Sequence, residues 1–390
     1  MTSSTRSRSD LGEVAAAFLR LGLTAFGGPA AHVALMRDVF VRRRAWLDDA
    51  DFLDVLGASS LIPGPTSTEL AMHIGHRRAG WPGLFAAGIA FLLPAVALVA
   101  LLAWLYVEQG SRPEVGVVLA TVAPVVVAVI AHAGLALART AIRTVRTAVL
   151  AAAAIVAVVL GAPEIVVLLG VGVVGLGGHL LTDARASGMM ALPWLDAGGW
   201  ATHPVGILLL AGGPSVVGPL AIAGELARIG AVLFGSGYVL VSILRSELVE
   251  RLGWISETQL LDAVAVGQAT PGPLFSTATF VGYLVGGPVG AGAATIGIFA
   301  PAFLAVVLSI PLLERLRRSP RARAFLDGVN AATVGLLAVV AVQLAVTAVP
   351  DPLAGVIGLA ALGLLLRGVP SGPLLAGAAV AGIVRLVSGV

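Results

Sequence analysis

Two tripeptides, Pro63-Gly64-Pro65 and Pro271-Gly272-Pro273, stand inside stretches that are otherwise apolar. Proline removes a backbone donor and clashes with the preceding turn, so no helix runs straight through either. A helix restarting after such a break presents unpaired N–H groups at its positive dipole end, an arrangement that binds anions. Thr66, Ser67 and Thr68 follow the first break, and Ser276 and Thr277 lie just beyond the second. Two such starts facing each other would offer many donors to a tetrahedral oxyanion. Phe26-Gly27-Gly28-Pro29 and Phe234-Gly235-Ser236-Gly237 mark two further places where backbone can approach closely.

The titratable residues near these breaks allow several chemistries. Asp54 and Asp262 each precede their tripeptide by nine residues. An ionised aspartate at a bilayer centre costs ~2.5–3.5 kcal/mol on insertion scales, which makes an embedded one a functional candidate. Such a group would carry protons or pair with Arg37 and Arg245; at the interface it would instead cap the helix that begins after Trp46 or Trp254. Arg37 and Arg245 suit bidentate ligation of an oxyanion, although Arg37 also adjoins the plain basic anchor Arg42-Arg43-Arg44. Glu69, His73 and His76 share a helical face at i, i+4 and i+7. Three ligands without a fourth, beside Arg77-Arg78, argue against a metal; proton carriage by Glu69 or His73, or polar packing, is expected instead. Ser67 lacks an evident base, and no Gly-x-Ser-x-Gly or phosphate-binding Gly-x4-Gly-Lys-Ser/Thr motif occurs. No enzyme activity, ATP drive, cofactor or metal is expected. His132 and His179 read as structural.

These residues need a membrane to hold them. Only 12% of the 390 residues are charged and 58% are hydrophobic, with a mean hydropathy of +1.00; a soluble domain carries roughly 25% charged residues. Ala79 to Val107 runs 29 residues, and Ala263 to Leu313 runs 51, without a charged side chain. About 20 apolar residues suffice for one pass. The small arginine excess, net +3, lies in loops, where it sets orientation rather than binding nucleic acid. The absence of cysteine excludes disulfides and thiolate metal sites. The polar first dozen residues are followed by no apolar leader core, so no cleaved signal is expected.

The chain also repeats itself. A shift of 208 residues brings Phe26-Gly27 onto Phe234-Gly235, Arg37 onto Arg245, Trp46 onto Trp254 and Asp54 onto Asp262, together with the two Pro-Gly-Pro motifs. After one deletion, a shift of 207 pairs Gly80 with Gly287, Gly83 with Gly290 and Pro94 with Pro301. Glu69 and His73 break the symmetry, facing Thr277 and Val281. Charge then orients the halves. His76-Arg77-Arg78 precedes the apolar segment 80–107, and Arg139, Arg143 and Arg146 follow segment 115–138. In the second half the arginines, Arg315 to Arg323, come after segment 288–313, and only Asp351 follows 329–349. By the positive-inside rule equivalent helices cross in opposite senses. The expected architecture is an all-α integral membrane protein with an inverted repeat, broken or re-entrant helices and about 10 to 13 membrane segments. Its parts are a polar tail at 1–12, a first half at 13–181, a linker at 182–217 and a second half at 218–390.

The runs Phe26-Gly27-Gly28-Pro29, Trp46-Leu47, Leu61-Ile62-Pro63-Gly64-Pro65, Ser67-Thr68-Glu69 and Arg77-Arg78-Ala79-Gly80-Trp81-Pro82-Gly83 resemble the chromate ion transporter family. So do Phe234 to Tyr238, Gly253-Trp254, Gly267-Gln268, Thr270-Pro271-Gly272-Pro273 and Ala278 to Tyr283. Together they cover nearly all of 18–95 and 226–302. Ser236 departs from the glycine expected there. The resemblance implies two homologous inverted halves and export of chromate, with sulfate as a related ligand. The expected reading is a secondary transporter of the cytoplasmic membrane working by alternating access, with a transporter or channel for sulfate or another oxyanion as the alternative. A small oxyanion and the bilayer are the expected partners, nucleic acid is not, and a homodimer stays open. The candidate site comprises Gly27, Gly28, Pro63, Gly64, Pro65, Thr66, Ser67, Thr68, Gly235, Gly237, Gln268, Pro271, Gly272, Pro273, Ser276, Arg37 and Arg245. Glu69, His73, Asp54 and Asp262 are the proton-coupling candidates.

Overall fold

The computed structural model describes residues 8–25, 28–59, 62–109, 113–186, 217–233, 239–312 and 319–388. The first half folds as α1 (Arg8–Thr24), α2 (Gly28–Arg37) with a π-helical turn at Asp38–Arg43, α3 (Asp49–Ser59), α4 (Thr66–Gln109), α5 (Pro113–Ala141), α6 (Val145–Val159) and α7 (Glu164–Ala186). The second half repeats this order. It consists of α8 (Pro219–Val232), α9 (Val239–Leu244) with a π-helical turn at Arg245–Arg251, α10 (Glu257–Ala269), α11 (Thr277–Ser309), α12 (Pro320–Ala348), α13 (Pro352–Leu366) and α14 (Ser371–Ser388). Most of the expected linker, residues 187–216, lies outside the described residues.

The repeat holds at the level of single hydrogen bonds. The wide π-helical turn closes with Arg44 N–H on Val39 O in one half and Leu252 N–H on Glu247 O in the other, both at 3.0 Å. Trp46 N–H donates to Phe40 O, and Trp254 N–H to Leu248 O, both at 2.8 Å. The helix that follows is capped at matching positions, by Asp48 in the first half and Ser256 in the second. Capping by Asp54 or Asp262, one reading of the sequence, is thereby corrected: the caps sit six residues earlier.

Four spans are long and apolar enough to cross a membrane: Thr66–Gln109, Val117–Ala141, Leu274–Ser309 and Pro320–Ala348. Four shorter apolar helices accompany them, Val145–Val159, Glu164–Gly178, Pro352–Leu366 and Ser371–Leu386. The broken segments enter and return. Glu13, near the start of α1, binds Arg44 at 2.8 Å and Arg78 at 3.0 Å, and Arg77 pairs with Asp51. These contacts gather at one face the start of α1, the end of the π turn, the start of α3 and the end of the first arm of α4. The second half gathers its own ends through Glu225, Arg228, Glu247 and Arg251.

Each long helix of these hairpins is kinked at a glycine. Gly80 has φ 67° and ψ −153°, and Gly287 has φ 60° and ψ −153°, a region essentially closed to other residues. The kink divides α4 into a short inner arm and a long crossing arm, and divides α11 likewise. Beyond the kink the long arm of α4, then α5, then α6 cross in turn. The loop after α6, at Gly161 and Glu164, shares a cavity with Ser246, Glu247 and Glu250 of the second π-helical turn. That turn therefore lies on the face opposite Glu13 and Arg78, and the repeat is inverted.

The halves are interlocked rather than set side by side. α1 packs on α4 and α8 on α11, whereas α6 and α7 pack on α12, and α13 and α14 on α5. Small residues make the exchange possible by letting backbones touch. A Cβ at Gly175 would lie 2.9 Å from Ala324 O, and one at Gly335 would lie 2.8 Å from Ala151 O.

Candidate functional site

The two Pro-Gly-Pro corners are buried, and each is bonded to the opposite half. Gly64 has φ 139° and Gly272 φ 109°, turns that an L side chain resists. Gly64 N–H donates to Leu233 O at 2.6 Å, and Gly272 N–H donates to Ala25 O at 2.8 Å. Ala25 and Leu233 follow the last turns of α1 and α8, at equivalent positions of the repeat. Each corner thus closes on the break between the first two helices of the other half. The amides of the two central glycines therefore already have acceptors. Packing is equally reciprocal. A Cβ on Gly64 would lie 2.7 Å from that of Ala302 and overlap a Glu69 carboxylate oxygen, and one on Gly272 would lie 2.6 Å from that of Ala95.

Side chains, more than corner amides, supply the unmatched polarity. Thr68, Glu69, Ser276 and Thr277 are fully buried. Thr68 Oγ1, both carboxylate oxygens of Glu69, Ser276 Oγ, Thr277 Oγ1 and Gln268 Nε2 have no hydrogen-bond partner. An orphaned buried polar atom costs ~1–3 kcal/mol, and a cluster of them in a native fold calls for a ligand or water to complete it. They come from the two inner helix starts, with Thr68 and Ser276 at equivalent positions. Gln268 is on α10, close before its corner. His73 Nε2, one turn beyond Glu69, is orphaned as well. The region therefore offers hydroxyl and amide donors from both halves and one carboxyl group from the first half alone.

The remaining sequence candidates are placed as follows. Pro65, Ser67, Pro271 and Pro273 are buried at the corners, and Pro63 is partly buried. Thr66 opens α4 and Gly28 opens α2. Gly27, Gly235 and Gly237 lie outside the described residues. Asp54 is on α3, with its side chain outside the description. Asp262 is buried and accepts a hydrogen bond from the Tyr106 hydroxyl of α4 at 2.9 Å.

Arg37 and Arg245 stand away from the corners. Arg37 Nε donates to Asp49 Oδ1 at 2.8 Å, and Arg245 Nε donates to Glu257 Oε1 at 2.7 Å. Both carboxylates sit in the first turn of the helix leading to the corner, 11 residues long for α3 and 13 for α10. At ~1.5 Å per residue the guanidinium groups are about 15–20 Å from the breaks. Ligation by these arginines, and pairing of Arg245 with Asp262, are corrected by this geometry.

Sequence reasoning missed four participants. His32 Nε2 shares the Ala25 carbonyl with the Gly272 amide, at 2.9 Å. Tyr106 holds Asp262, and Ala95 and Ala302 seat the glycines of the opposite corners. The alanines were within reach, being one residue beyond the matched Pro94 and Pro301. His32 and Tyr106 carried no signal, since their partners are remote in the chain.

This arrangement defines a class: a polytopic membrane protein with interlocked inverted halves whose broken helices meet in a buried polar region. Comparison with known sequences specifies it further. The chain belongs to the chromate transporter family, whose sequence pattern matches residues 12–176 and again 220–383, once per half. It is 32% identical over 375 residues to a chromate transport protein of Cupriavidus metallidurans, covering 94% of this chain and 91% of that one. It is 31% identical over 352 residues to a probable chromate transport protein of Synechococcus elongatus, covering 88% and 87%. An uncharacterised transporter of Methanocaldococcus jannaschii is 28% identical over 340 residues, covering 84% and 83%. No solved structure matches the chain. The named relatives are transport proteins rather than enzymes.

Proposed function

We propose that the protein exports chromate across the cytoplasmic membrane as a secondary transporter, by alternating access at the two Pro-Gly-Pro corners. The observation that carries this reading is the set of orphaned donors, Thr68, Gln268, Ser276 and Thr277, contributed by both halves beside the corners. Four donors, three from the two inner helix starts and one from the end of α10, suit a tetrahedral dianion better than a planar or linear one. Direction follows from charge. In a cell negative inside, moving a dianion outward is favoured by ~4–5 kcal/mol per 100 mV, so efflux needs no other driving force.

The corner bonds also indicate what must move. Gly64 on Leu233 and Gly272 on Ala25 close each corner against the opposite half, and the alanines behind them leave a glycine hydrogen as the largest group that fits. Loading requires the halves to part there, releasing two backbone donors to the arriving anion. Breaking the two equivalent bonds in turn would open the site to one face and then the other, each opening freeing one of the two donors.

Glu69 is the proposed proton carrier. A carboxylate beside a dianion is repelled at close range, so anion loading favours its neutral form. The test is uptake of chromate by inverted vesicles carrying the purified protein, with sulfate as competitor. Uptake driven by an inside-positive potential and blocked weakly by sulfate supports chromate export. Uptake of sulfate at equal or greater rate makes sulfate the cargo, and conduction far above carrier turnover makes the protein a channel.

A further inference from the structure

A second polar region lies far from the corners. Where α5 ends and α6 and α12 begin, a cavity of about 900 Å³ is lined by Arg143, Arg146 and Arg323, with Thr144, Thr147 and Asp327. Three guanidinium groups face one carboxylate. Among the described residues neither Arg143 nor Arg146 is ion-paired, and Arg146 is held across the cavity by a hydrogen bond to Gly175 O of α7. Two helices start here, α6 with Thr144 as its cap and α12 with Ser319, so two positive dipole ends add to the arginines.

The inverted repeat supplies a control within the molecule. At a shift of 207, Arg143, Arg146 and Arg323 correspond to Pro350, Leu353 and Gly116, none of them charged. The matching positions of the repeat therefore build no such basic cluster, and the three arginines lie on the face that the positive-inside rule assigns to the cytoplasm. The walls of the cavity are α5, α6, α7 and α12, and α6 and α7 pack on α12 rather than on the corner-bearing α4 or α11. An anion held there is off the path through the corners. The surrounding helices carry exposed apolar side chains, Val145, Val149 and Val174 among them, so the cavity opens beside acyl chains.

We propose that this cavity binds a phosphate group, carried by the headgroup of an anionic phospholipid of the cytoplasmic leaflet. Its volume suits a headgroup with its glycerol, and basic pockets between membrane helices on that side recognise such lipids. The bound phosphate bridges Arg143 and Arg146 of the α5–α6 region to Arg323 of α12, tying an outer hairpin of the first half to the second.

The test uses the full-length protein in nanodiscs of phosphatidylcholine, with phosphatidylglycerol titrated in and thermal unfolding as the readout. Phosphatidylglycerol should raise the unfolding temperature of the parent protein, and inorganic phosphate should do so only weakly. Arg143→Gln with Arg146→Gln should weaken the phosphatidylglycerol effect roughly 25-fold, about fivefold per arginine. Circular dichroism and size-exclusion elution of the same variant should match the parent, which shows that it is folded. Should the double variant fail to fold, Arg323→Gln alone should weaken the phosphatidylglycerol effect about fivefold. Equal response to phosphatidylcholine and phosphatidylglycerol overturns the proposal, as does an unweakened lipid response in the variants. Strong binding of free phosphate without any lipid effect also overturns it, in favour of a soluble oxyanion. None of these outcomes depends on which anion the corners carry.

Discussion

The two corners share a backbone and differ in chemistry. Around Gly64 and Gly272 the turn, the hydrogen bond to the other half and the alanine behind the glycine are all repeated. The side chains that follow are not. Glu69 stands where the second half has Thr277, His73 where it has Val281, and His32 where it has Leu240. Among the described residues, these titratable differences within the buried core near the corners fall on the first half, whereas the aspartate that Tyr106 engages, Asp262, has its match in Asp54. Under the proposed alternating access, the symmetric backbone would let one fold open to either face by the same motion, and the asymmetric side chains would confine protonation to one half.

The largest effect should come from testing the shared part. Gly64→Ala and Gly272→Ala each force a Cβ against an opposing alanine at a positive φ, adding overpacking of ~1–3 kcal/mol to left-handed strain of ~1–2 kcal/mol. Both variants should lose chromate binding and transport to a similar degree, measured by anion-dependent thermal stabilisation and vesicle uptake. A corner that tolerates alanine while its twin does not would show that the site is not shared between the halves.

A middle-sized effect should separate the halves. Glu69→Gln should flatten the pH dependence of transport while chromate still binds, whereas Thr277→Val should lower affinity several-fold and leave the pH profile intact. Stopped-flow uptake between pH 5.5 and 8.5 distinguishes the two. An unchanged profile in Glu69→Gln removes the proton role and leaves Glu69 as packing.

The smallest effect should come from the arginines. Arg37 is 44% exposed against an Asp49 that is 61% exposed, so Arg37→Gln should change stability by ~0–1 kcal/mol. Arg245 is 14% exposed and contacts both Glu250 and Glu257, so its loss should be the more costly of the two. Neither should alter chromate affinity beyond twofold in an equilibrium binding measurement. A tenfold loss in Arg37→Gln would return it to the ligand set.

Much of this design is written in residue order. Proline at 63, 65, 271 and 273 had to break helices, and apolar runs of 29 and 51 residues had to lie in a membrane. The 208-residue shift located both corners, and loop charge gave the inversion, because local sterics, hydrophobicity and positive loops act within a few residues of where they are written. What remained hidden is long-range. No spacing rule pairs Gly64 with Leu233, Tyr106 with Asp262 or Arg37 with Asp49 over the anion. The first two require the halves to interlock. The last turns on a carboxylate being nearer than the corner, which only the folded distance decides.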